Sequence, residues 1–281
     1  MKLVRYGEAG QEKPGLIDAQ GAIRDLSGVV RDIYGNTLGE ESLAKLRGLD
    51  VNSLPKVSGS PRFGVPVANV QKLICIGLNF SDHAKETNMP IPTEPVVFMK
   101  AISALNGPND RVILPNGSKK SDWEVELAFV IGKTARSVSE SEALDYIAGY
   151  TICNDVSERE WQLEHGSQWS KGKSFDTFAP VGPYLVTKDE IPDPQNLAMW
   201  LEVSGKRMQT GNTNTMIFGV QKLLSYLSYF VTLAPGDIVS TGTPPGVGAG
   251  IKPKPVFLKP GDTIRLGIDG LGEQKQSVTS D

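Results

Sequence analysis

Apolar and polar residues alternate along short segments of this chain with the two-residue period of half-buried β-strands. Turn-forming residues, above all the 30 glycines and 19 prolines, separate these segments from one another. The alternation predicts strands at residues 72–76, 96–99, 124–131, 147–153, 183–186, 198–203, 237–240 and 263–268. Ser204-Gly205-Lys206 follows one of them and is typical of the tip of a hairpin.

Few segments show the longer period of an amphipathic helix. The clearest is residues 218–231, whose apolar stripe consists of Val220, Leu223, Leu224, Leu227 and Phe230. Ser139, with Glu142 three residues later, resembles a capping box that opens a second helix through Tyr146. A third, short helix is predicted at residues 40–46. Strands outnumber helices and do not alternate regularly with them, which favours a strand-rich, mixed α+β fold over a doubly wound or barrel α/β fold.

The N-terminal part of the chain has its own pattern. Residues 2–6 and 14–26 alternate apolar and polar positions on either side of a turn, which predicts a small antiparallel unit. Residues 53–62 are rich in Ser and Pro, as is typical of a connecting segment. We therefore predict a small N-terminal domain at residues 1–69 and a larger domain at residues 70–281.

Two acidic residues share one face of the predicted strand 124–131. Because side chains alternate along a strand, Glu124 and Glu126 project to the same side, where their charges repel unless the face is wet or a cation lies between them. Asp155, just after the predicted strand 147–153, could complete a set of three hard oxygen ligands, which suits Mg²⁺ or Mn²⁺ better than Zn²⁺. The simpler interpretations are a solvent-facing acidic strand and, for Asp155, a helix N-cap.

Other polar residues could carry chemistry. His83 and Glu86 would be neighbours on a helical turn, where a carboxylate makes an imidazole a better general base for water; an exposed ion pair is the alternative. Arg159, one helical turn after Asp155, could orient a carboxylate or a substrate oxygen. Lys173 could stabilise an oxyanion or be an ordinary surface lysine. The glycine-rich turn of residues 240–248 could cradle a carboxylate with its backbone N–H groups.

Composition excludes several other classes of function. The 281 residues carry a net charge of -3 without a basic patch, which argues against nucleic acid or an anionic membrane as a partner and favours a small-molecule substrate. Cys75 and Cys153 lie in apolar runs and are expected to be buried free thiols. The sequence shows neither a signal peptide nor an apolar run of about 18 residues, so we expect a cytoplasmic protein.

Five motifs, taken in their order along the chain, resemble the fumarylacetoacetate hydrolase family over about residues 70 to 278. They are Gly77-Leu78-Asn79-Phe80 with His83 and Glu86, then Glu124-Val125-Glu126, then Asn154-Asp155-Val156-Ser157 with Arg159, then Gly172-Lys173 with Asp176 and Pro180, and finally Thr241-Gly242-Thr243-Pro244 with Gly246-Val247. Residues 73–76 lack the additional metal-binding Asp of the larger members, so the chain resembles the shorter branch.

The resemblance implies a mixed β-roll with a small N-terminal domain, and a homodimer. It also implies roles for single residues. The metal ligands would be Glu124, Glu126 and Asp155; the base would be His83 assisted by Glu86; the oxyanion would be stabilised by Lys173; and the substrate would be contacted by Arg159, Gln162 and Thr243. The cofactor would be Mg²⁺, with Mn²⁺ as a possible substitute.

The activity implied by the resemblance is hydrolysis of the C3–C4 bond of a 2,4-dioxo acid to pyruvate and a second carboxylic acid. Residues 161–178, 212–216 and 255–259 most resemble those of bacterial 2,4-diketo-3-deoxy-L-rhamnonate hydrolases and of the animal fumarylacetoacetate hydrolase domain-containing protein 2 group, so we expect a sugar acid of this type as substrate. Decarboxylation of oxaloacetate and isomerisation of a 2-hydroxydienoate are alternatives at the same kind of site. A non-catalytic metal-binding protein is a further alternative from another class.

Overall fold

The computed structural model describes residues 1–82 and 90–281. His83 and Glu86, the predicted base and its partner, lie outside these residues. The strands are β1 (Lys2–Tyr6), β2 (Lys13–Ile17), β3 (Ile23–Asp25), β4 (Leu73–Gly77), β5 (Val96–Lys100), β6 (Leu105–Asn106), β7 (Val112–Leu114), β8 (Ser121–Asp122), β9 (Val125–Ile131), β10 (Ile147–Asn154), β11 (Ser157–Glu158), β12 (Ala179–Thr187), β13 (Ala198–Val203), β14 (Lys206–Asn212), β15 (Ile238–Ser240), β16 (Thr263–Ile268) and β17 (Gly272–Ser280).

Helices are shorter and fewer than strands in the described part of the chain. The α-helices are α1 (Glu40–Arg47), α2 (Arg159–Leu163), α3 (Ser170–Lys173) and α4 (Val220–Phe230). Single 3₁₀ turns or short 3₁₀ helices occur at Gly35–Leu38, Val51–Ser53, Ile102–Ala104, Glu140–Tyr146, Lys188–Glu190, Thr213–Thr215 and Gly248–Gly250. The prediction of a strand-rich α+β fold is confirmed.

One large mixed sheet organises the molecule. Its ten strands run in the order β3-β2-β1-β12-β10-β9-β15-β4-β5, with β6 attached to β12. β15 pairs in parallel with β4 and antiparallel with β9, so both pairing types occur in the same sheet. The central strands β9 and β10 are buried along their whole length, as expected for strands covered on both faces. A second sheet of five strands has the order β14-β13-β16-β17-β7.

Alternation along β9 divides the interior into two apolar cores. Val125, Leu127 and Phe129 face the larger core, which also contains Leu266 of β16 and Leu223 of α4. Ala128 and Val130, on the opposite side of the strand, face a second core with residues of β1, β4, β12 and α1. Glu126 belongs to this second face by its position, so the strand carries a buried carboxylate on the same side as Ala128 and Val130.

The N-terminal strands extend the large sheet rather than forming a sheet of their own. β1 pairs antiparallel with β2, and β2 with β3, as the alternation predicts. β1 also pairs antiparallel with β12, with Lys2 opposite Val186. The N-terminal unit therefore shares a sheet and a core with later strands, and the division at residues 69 and 70 stays a prediction.

Local predictions and structure differ after Ser139 and at Glu124; β12 also begins four residues before the predicted strand 183–186, and β14 and β17 were not predicted. α4 matches the predicted helix to within two residues at each end, but the segment after Ser139 is a 3₁₀ helix. The Ser139 hydroxyl donates to the Glu142 carboxylate at 2.5 Å rather than capping backbone N–H groups, so the capping box is incomplete. Glu124 precedes β9 instead of lying within it. The predicted hairpin tip is present, with left-handed backbone at Ser204 and Gly205.

No helix within residues 1–82 and 90–281 combines the length and the apolar character needed to cross a membrane.

Candidate functional site

Three buried carboxylates meet where β9 begins and β10 ends. The strands are antiparallel with Val125 opposite Asn154, which brings the residue before β9 next to the residue after β10. The Asp155 backbone N–H donates to the Glu124 carbonyl at 2.9 Å and continues this pairing. One carboxylate oxygen from each of Glu124, Glu126 and Asp155 lies within 4.8 Å of the other two. The structure thus brings together the three residues predicted to bind a metal.

Glu126 is the member of this cluster whose pKa is raised. Its Oε2 accepts hydrogen bonds from the Ser240 hydroxyl at 2.5 Å and the Gly242 N–H at 3.0 Å. Burial raises the pKa of the Glu126 carboxyl well above its ordinary value, and the nearby charges of Asp155 and Glu124 raise it further. A cation bound between the carboxylates would remove this repulsion and favour the ionised form. Three buried oxygen donors that repel one another fit a hard divalent cation such as Mg²⁺ or Mn²⁺.

Two cationic side chains hold the other carboxylates. The Lys173 ammonium donates to Glu124 Oε2 at 2.7 Å and to Asp155 Oδ2 at 2.8 Å. Arg159 Nη2 lies 2.7 Å from Glu124 Oε1. Burial opposes ionisation of Glu124, but the charges of Lys173 and Arg159 outweigh it and lower the pKa of this carboxyl to about 2. Lys173 itself is buried, and Asp155 and Glu124 raise its pKa against the effect of burial, so it keeps its charge.

Lys100 is a second buried lysine at this cluster, and the sequence patterns did not predict it. Its ammonium donates to Asp155 Oδ1 at 2.5 Å and to the Val156 carbonyl at 3.0 Å. The signal that could have identified it is its position two residues after Phe98 and one residue beyond the predicted strand 96–99, which places it on the same face as Phe98 if the strand continues. A charged residue on such a face requires a partner of opposite charge.

Asp122 is another buried residue that was not predicted. Its Oδ2 accepts from Arg159 Nε at 2.9 Å and from the Ala249 N–H at 3.0 Å, while its Oδ1 accepts from the N–H groups of Gly248 at 2.6 Å and Trp123 at 2.8 Å. Asp122 therefore fixes Arg159 to the loop that follows β15. Its two-residue strand β8 is too short for a periodic pattern to identify.

The predicted substrate contacts surround the same cluster. Arg159 Nη1 donates to the Gln162 side-chain oxygen at 2.9 Å, so the N–H₂ group is the donor end of this amide. The Thr243 hydroxyl donates to the Val125 carbonyl at 2.9 Å and accepts from the Gln209 amide at 2.8 Å. Gly242, with φ of 98°, makes the turn before Thr243, and a Cβ at this position would lie 2.8 Å from Asn79 Cβ.

A cavity of about 60 Å³ opens above the carboxylates. Its residues are Ile76, Gly77, Leu78, Phe98, Glu124, Glu126, Arg159, Gln162, Trp169, Lys173 and Thr243. The lining combines charged side chains with apolar ones. The Lys173 ammonium lies 5.1 Å from the centre of the Phe98 ring, and Trp169 packs edge-on against that ring at 5.6 Å. Leu78 has a φ of 53°, an unusual conformation for this residue type that is typical of functional sites.

The roles of these residues stay predictions, although their positions agree with them. Among the described residues, the predicted ligands Glu124, Glu126 and Asp155 and the predicted contacts Arg159, Gln162, Lys173 and Thr243 all belong to one site. A strand-rich fold with buried carboxylates and a lysine at a small cavity defines the chain as a candidate metal-dependent enzyme.

The chain belongs to the fumarylacetoacetate hydrolase family, because residues 72–279 match the fumarylacetoacetate (FAA) hydrolase C-terminal domain. A relative from Burkholderia ambifaria (strain MC40-6) is 62% identical over 278 residues, which are 99% of each chain. Its name describes it as a hydrolase and specifies no substrate. Membership in the family that the motifs resembled is confirmed.

Two solved structures show the range of activities among similar proteins. Maleylpyruvate hydrolase from Sphingobium sp. SYK-6, in complex with manganese(II) ion and pyruvate, is 30% identical, with a TM-score of 0.83 over 100% of this chain and 99% of that chain. 2-Hydroxyhepta-2,4-diene-1,7-dioate isomerase from Mycobacterium marinum is 32% identical, with a TM-score of 0.77 over the same shares of the two chains. Proteins similar to this chain therefore include both a hydrolase and an isomerase.

Proposed function

We propose that this protein hydrolyses the C3–C4 bond of a 2,4-dioxo acid with the help of Mg²⁺ or Mn²⁺. Water adds its OH to C4, the C3–C4 bond breaks, and C3 receives a proton, so the products are pyruvate and a second carboxylic acid. The observation that carries the proposal is the cluster of Glu124, Glu126 and Asp155, buried beside Lys173 at a cavity. The manganese and pyruvate in the Sphingobium hydrolase support it.

The charges at the site suit an anionic substrate once a divalent cation is bound. Four carboxylates, those of Asp122, Glu124, Glu126 and Asp155, are opposed in the described chain by Lys100, Arg159 and Lys173. When all four carboxylates are ionised, as a bound cation favours, they exceed these cations by one. A bound divalent cation would reverse the sign and supply Lewis-acid polarisation of the 2-oxo acid end of the substrate. The reversed charge favours a carboxylate ligand.

Lys173 has a donor left for the reacting oxygen. An ammonium group carries three N–H donors, and the described carboxylates of Glu124 and Asp155 take two of them. The third donor can stabilise the negative charge that develops on the C4 oxygen when water adds. Gln162 offers its amide N–H₂ to another substrate oxygen, because Arg159 already occupies its carbonyl oxygen.

In the proposed mechanism, His83 and Glu86 have the roles that the sequence predicts for them. Glu86 would polarise the imidazole of His83, which would take a proton from the attacking water. The carbon–carbon bond would then break with the electron pair moving to C3, where protonation gives pyruvate.

Three finer points rest on the resemblance. The proposed substrate is 2,4-diketo-3-deoxy-L-rhamnonate or a related sugar acid, the proposed assembly is a homodimer, and the proposed location is the cytoplasm. Isomerisation of a 2-hydroxydienoate is the second candidate activity, and the structural similarity to the Mycobacterium marinum isomerase favours it. Oxaloacetate decarboxylation uses the same kind of site but does not need a base that activates water.

A substrate panel distinguishes these activities. We expect the purified protein with Mg²⁺ or Mn²⁺ to release pyruvate and a second acid in equal amounts from acylpyruvates or 2,4-diketo-3-deoxy sugar acids, and EDTA to abolish this release. Oxaloacetate and a 2-hydroxydienoate are assayed in parallel. Turnover of only one of these two compounds would replace the hydrolase proposal with the corresponding alternative, and turnover that persists after chelation would contradict the metal site.

Two histidine variants test the proposed base. His83→Ala should lower turnover by about a hundredfold or more, because general-base catalysis contributes on that order, while metal binding measured by calorimetry persists. His165→Ala is the matched control, since His165 is the other histidine of the chain and lies exposed against Trp161. A wild-type rate for His83→Ala would exclude His83 as the base.

A further inference from the structure

Asp155 is held by two buried lysines whose surroundings differ. Lys173 Nζ bonds its Oδ2, and Lys100 Nζ bonds its Oδ1. The Lys100 side chain is 0% exposed and the Asp155 side chain 1% exposed. Lys173 divides its ammonium between Asp155 and Glu124, whereas the carboxylate that Lys100 binds is that of Asp155.

The two lysines differ in their relation to the cavity. Lys173 lines the cavity, together with Glu124 and Glu126. Lys100 is not among the cavity residues, and its ammonium also donates to the Val156 carbonyl on the backbone that follows Asp155. Lys173 can therefore reach a substrate oxygen in the cavity, whereas Lys100 is fixed to the segment that carries Asp155.

We infer that Lys100 is a positioning residue that keeps Asp155 Oδ1 occupied and presents Oδ2 to the divalent cation. The inference rests on the metal site of the proposed function. A carboxylate can rotate about its last side-chain bond and offer either oxygen or both to an ion. Because the Lys100 ammonium bonds both Oδ1 and the neighbouring Val156 carbonyl, it holds the Asp155 carboxylate in one orientation. Outer groups of this kind typically tune metal affinity by about 10-fold to 100-fold.

Calorimetric titration of the metal-free protein with Mn²⁺ tests this role without an activity assay. Lys100→Met should bind Mn²⁺ about 10-fold to 100-fold more weakly than the wild type, because Asp155 loses its fixed orientation. Lys72→Met is the matched control. Lys72 also pairs with a buried carboxylate, that of Asp237, at 2.8 Å. Asp237 directly precedes β15, whereas Ser240 is the last residue of that strand. The Lys72→Met variant should be less stable than the wild type but should keep the wild-type affinity for Mn²⁺.

Each outcome bears on a separate claim. Unchanged or tighter Mn²⁺ binding by Lys100→Met would overturn the positioning role, and tighter binding would show that Lys100 only supplies charge. A wild-type protein that does not bind Mn²⁺ would instead overturn the metal site of the proposed function, and the inference with it.

A structure of the Mn²⁺-bound wild-type protein provides a second measurement that does not depend on the folding of a variant. Lys100 Nζ should remain within hydrogen-bond distance of Asp155 Oδ1, with the ion bound to Oδ2. An ion on Oδ1, with Lys100 displaced from the carboxylate, would overturn the inference.

Discussion

At the scale of single residues, the carboxylates of the site differ sharply in their proton affinity. Burial and the charges of Asp155 and Glu124 raise the pKa of Glu126, whereas Lys173 and Arg159 lower that of Glu124 to about 2 despite its burial. Glu124 therefore stabilises the fold above its ordinary pKa of 4.5, and this contribution is lost as pH falls toward 2. Glu126 does the reverse: without a metal, stability declines as pH rises above 4.5 through its raised pKa.

Glu126→Gln should therefore raise the melting temperature of the metal-free protein at pH 8. A neutral amide avoids ionisation in the buried cluster and can still accept from Ser240 and Gly242. Differential scanning fluorimetry in EDTA measures this gain. The wild type should gain about 5 to 10 °C when Mn²⁺ is added at a hundredfold excess over its Kd, and the variant should gain almost nothing.

An exposed glutamate provides the control for this comparison. Glu140→Gln changes an exposed side chain that pairs with Lys222, and it should leave both the metal-free melting temperature and the Mn²⁺ response unchanged. A full Mn²⁺ response in Glu126→Gln would show that Glu126 is not a ligand.

At the scale of elements, two short helices position the polar side of the cavity. α2 carries Arg159 and Gln162, and α3 ends at Lys173. Helices of five and four residues have little stability of their own, so packing must hold them. Gly172 permits this packing, because a Cβ there would lie 2.4 Å from both the Gln162 nitrogen and the Glu158 carbonyl oxygen. The position of Lys173 thus depends on the absence of a side chain at its neighbour.

Gly172→Ala should move α3 away from α2 and displace Lys173 from the carboxylates. We expect kcat to fall by about a hundredfold, because a shift of about 1 Å at a catalytic group has an effect of that order. Overpacking should also lower stability by about 1 to 3 kcal/mol. Steady-state kinetics and urea unfolding measure the two effects.

Gly28→Ala is the matched substitution for Gly172→Ala. A Cβ at Gly28 would contact nothing within 4 Å, so activity and stability should both be retained. Normal kinetics in Gly172→Ala would show that Lys173 is not held by the contact between α2 and α3.

At the scale of the whole molecule, the N-terminal strands and the site-bearing strands form one structure. β1 pairs with β12, which pairs with β10, which in turn leads into Asp155. Leu3 and Leu16 share a core with Leu73 and Leu185, so apolar contacts cross the predicted boundary. A separation at residues 69 and 70 would expose the edge of β12 and this core.

A chain shortened to residues 70–281 should therefore fail to reach the native state. Circular dichroism and size-exclusion chromatography should show loss of the cooperative unfolding transition and aggregation, because an unpaired strand edge beside apolar surface promotes association. Co-expression of residues 1–69 as a separate chain should restore part of the folded protein. A shortened chain that melts cooperatively by itself would establish residues 70–281 as an independent domain.

Local periodicity determined much of this protein's description. The strands β1–β5, β9, β10, β12, β13, β15 and β16 and the shared face of Glu124 and Glu126 follow from alternation along the chain, and α4 follows from its helical period, because side-chain direction is a local property. Motif order then pointed to the family. Lys100 and Asp122 could not be predicted in the same way, since their partners lie 55 and 37 positions away. A buried charged residue needs a partner of opposite charge, but its position in the sequence does not identify that partner. Only the pairing of distant strands in the tertiary structure decided which charged residues meet.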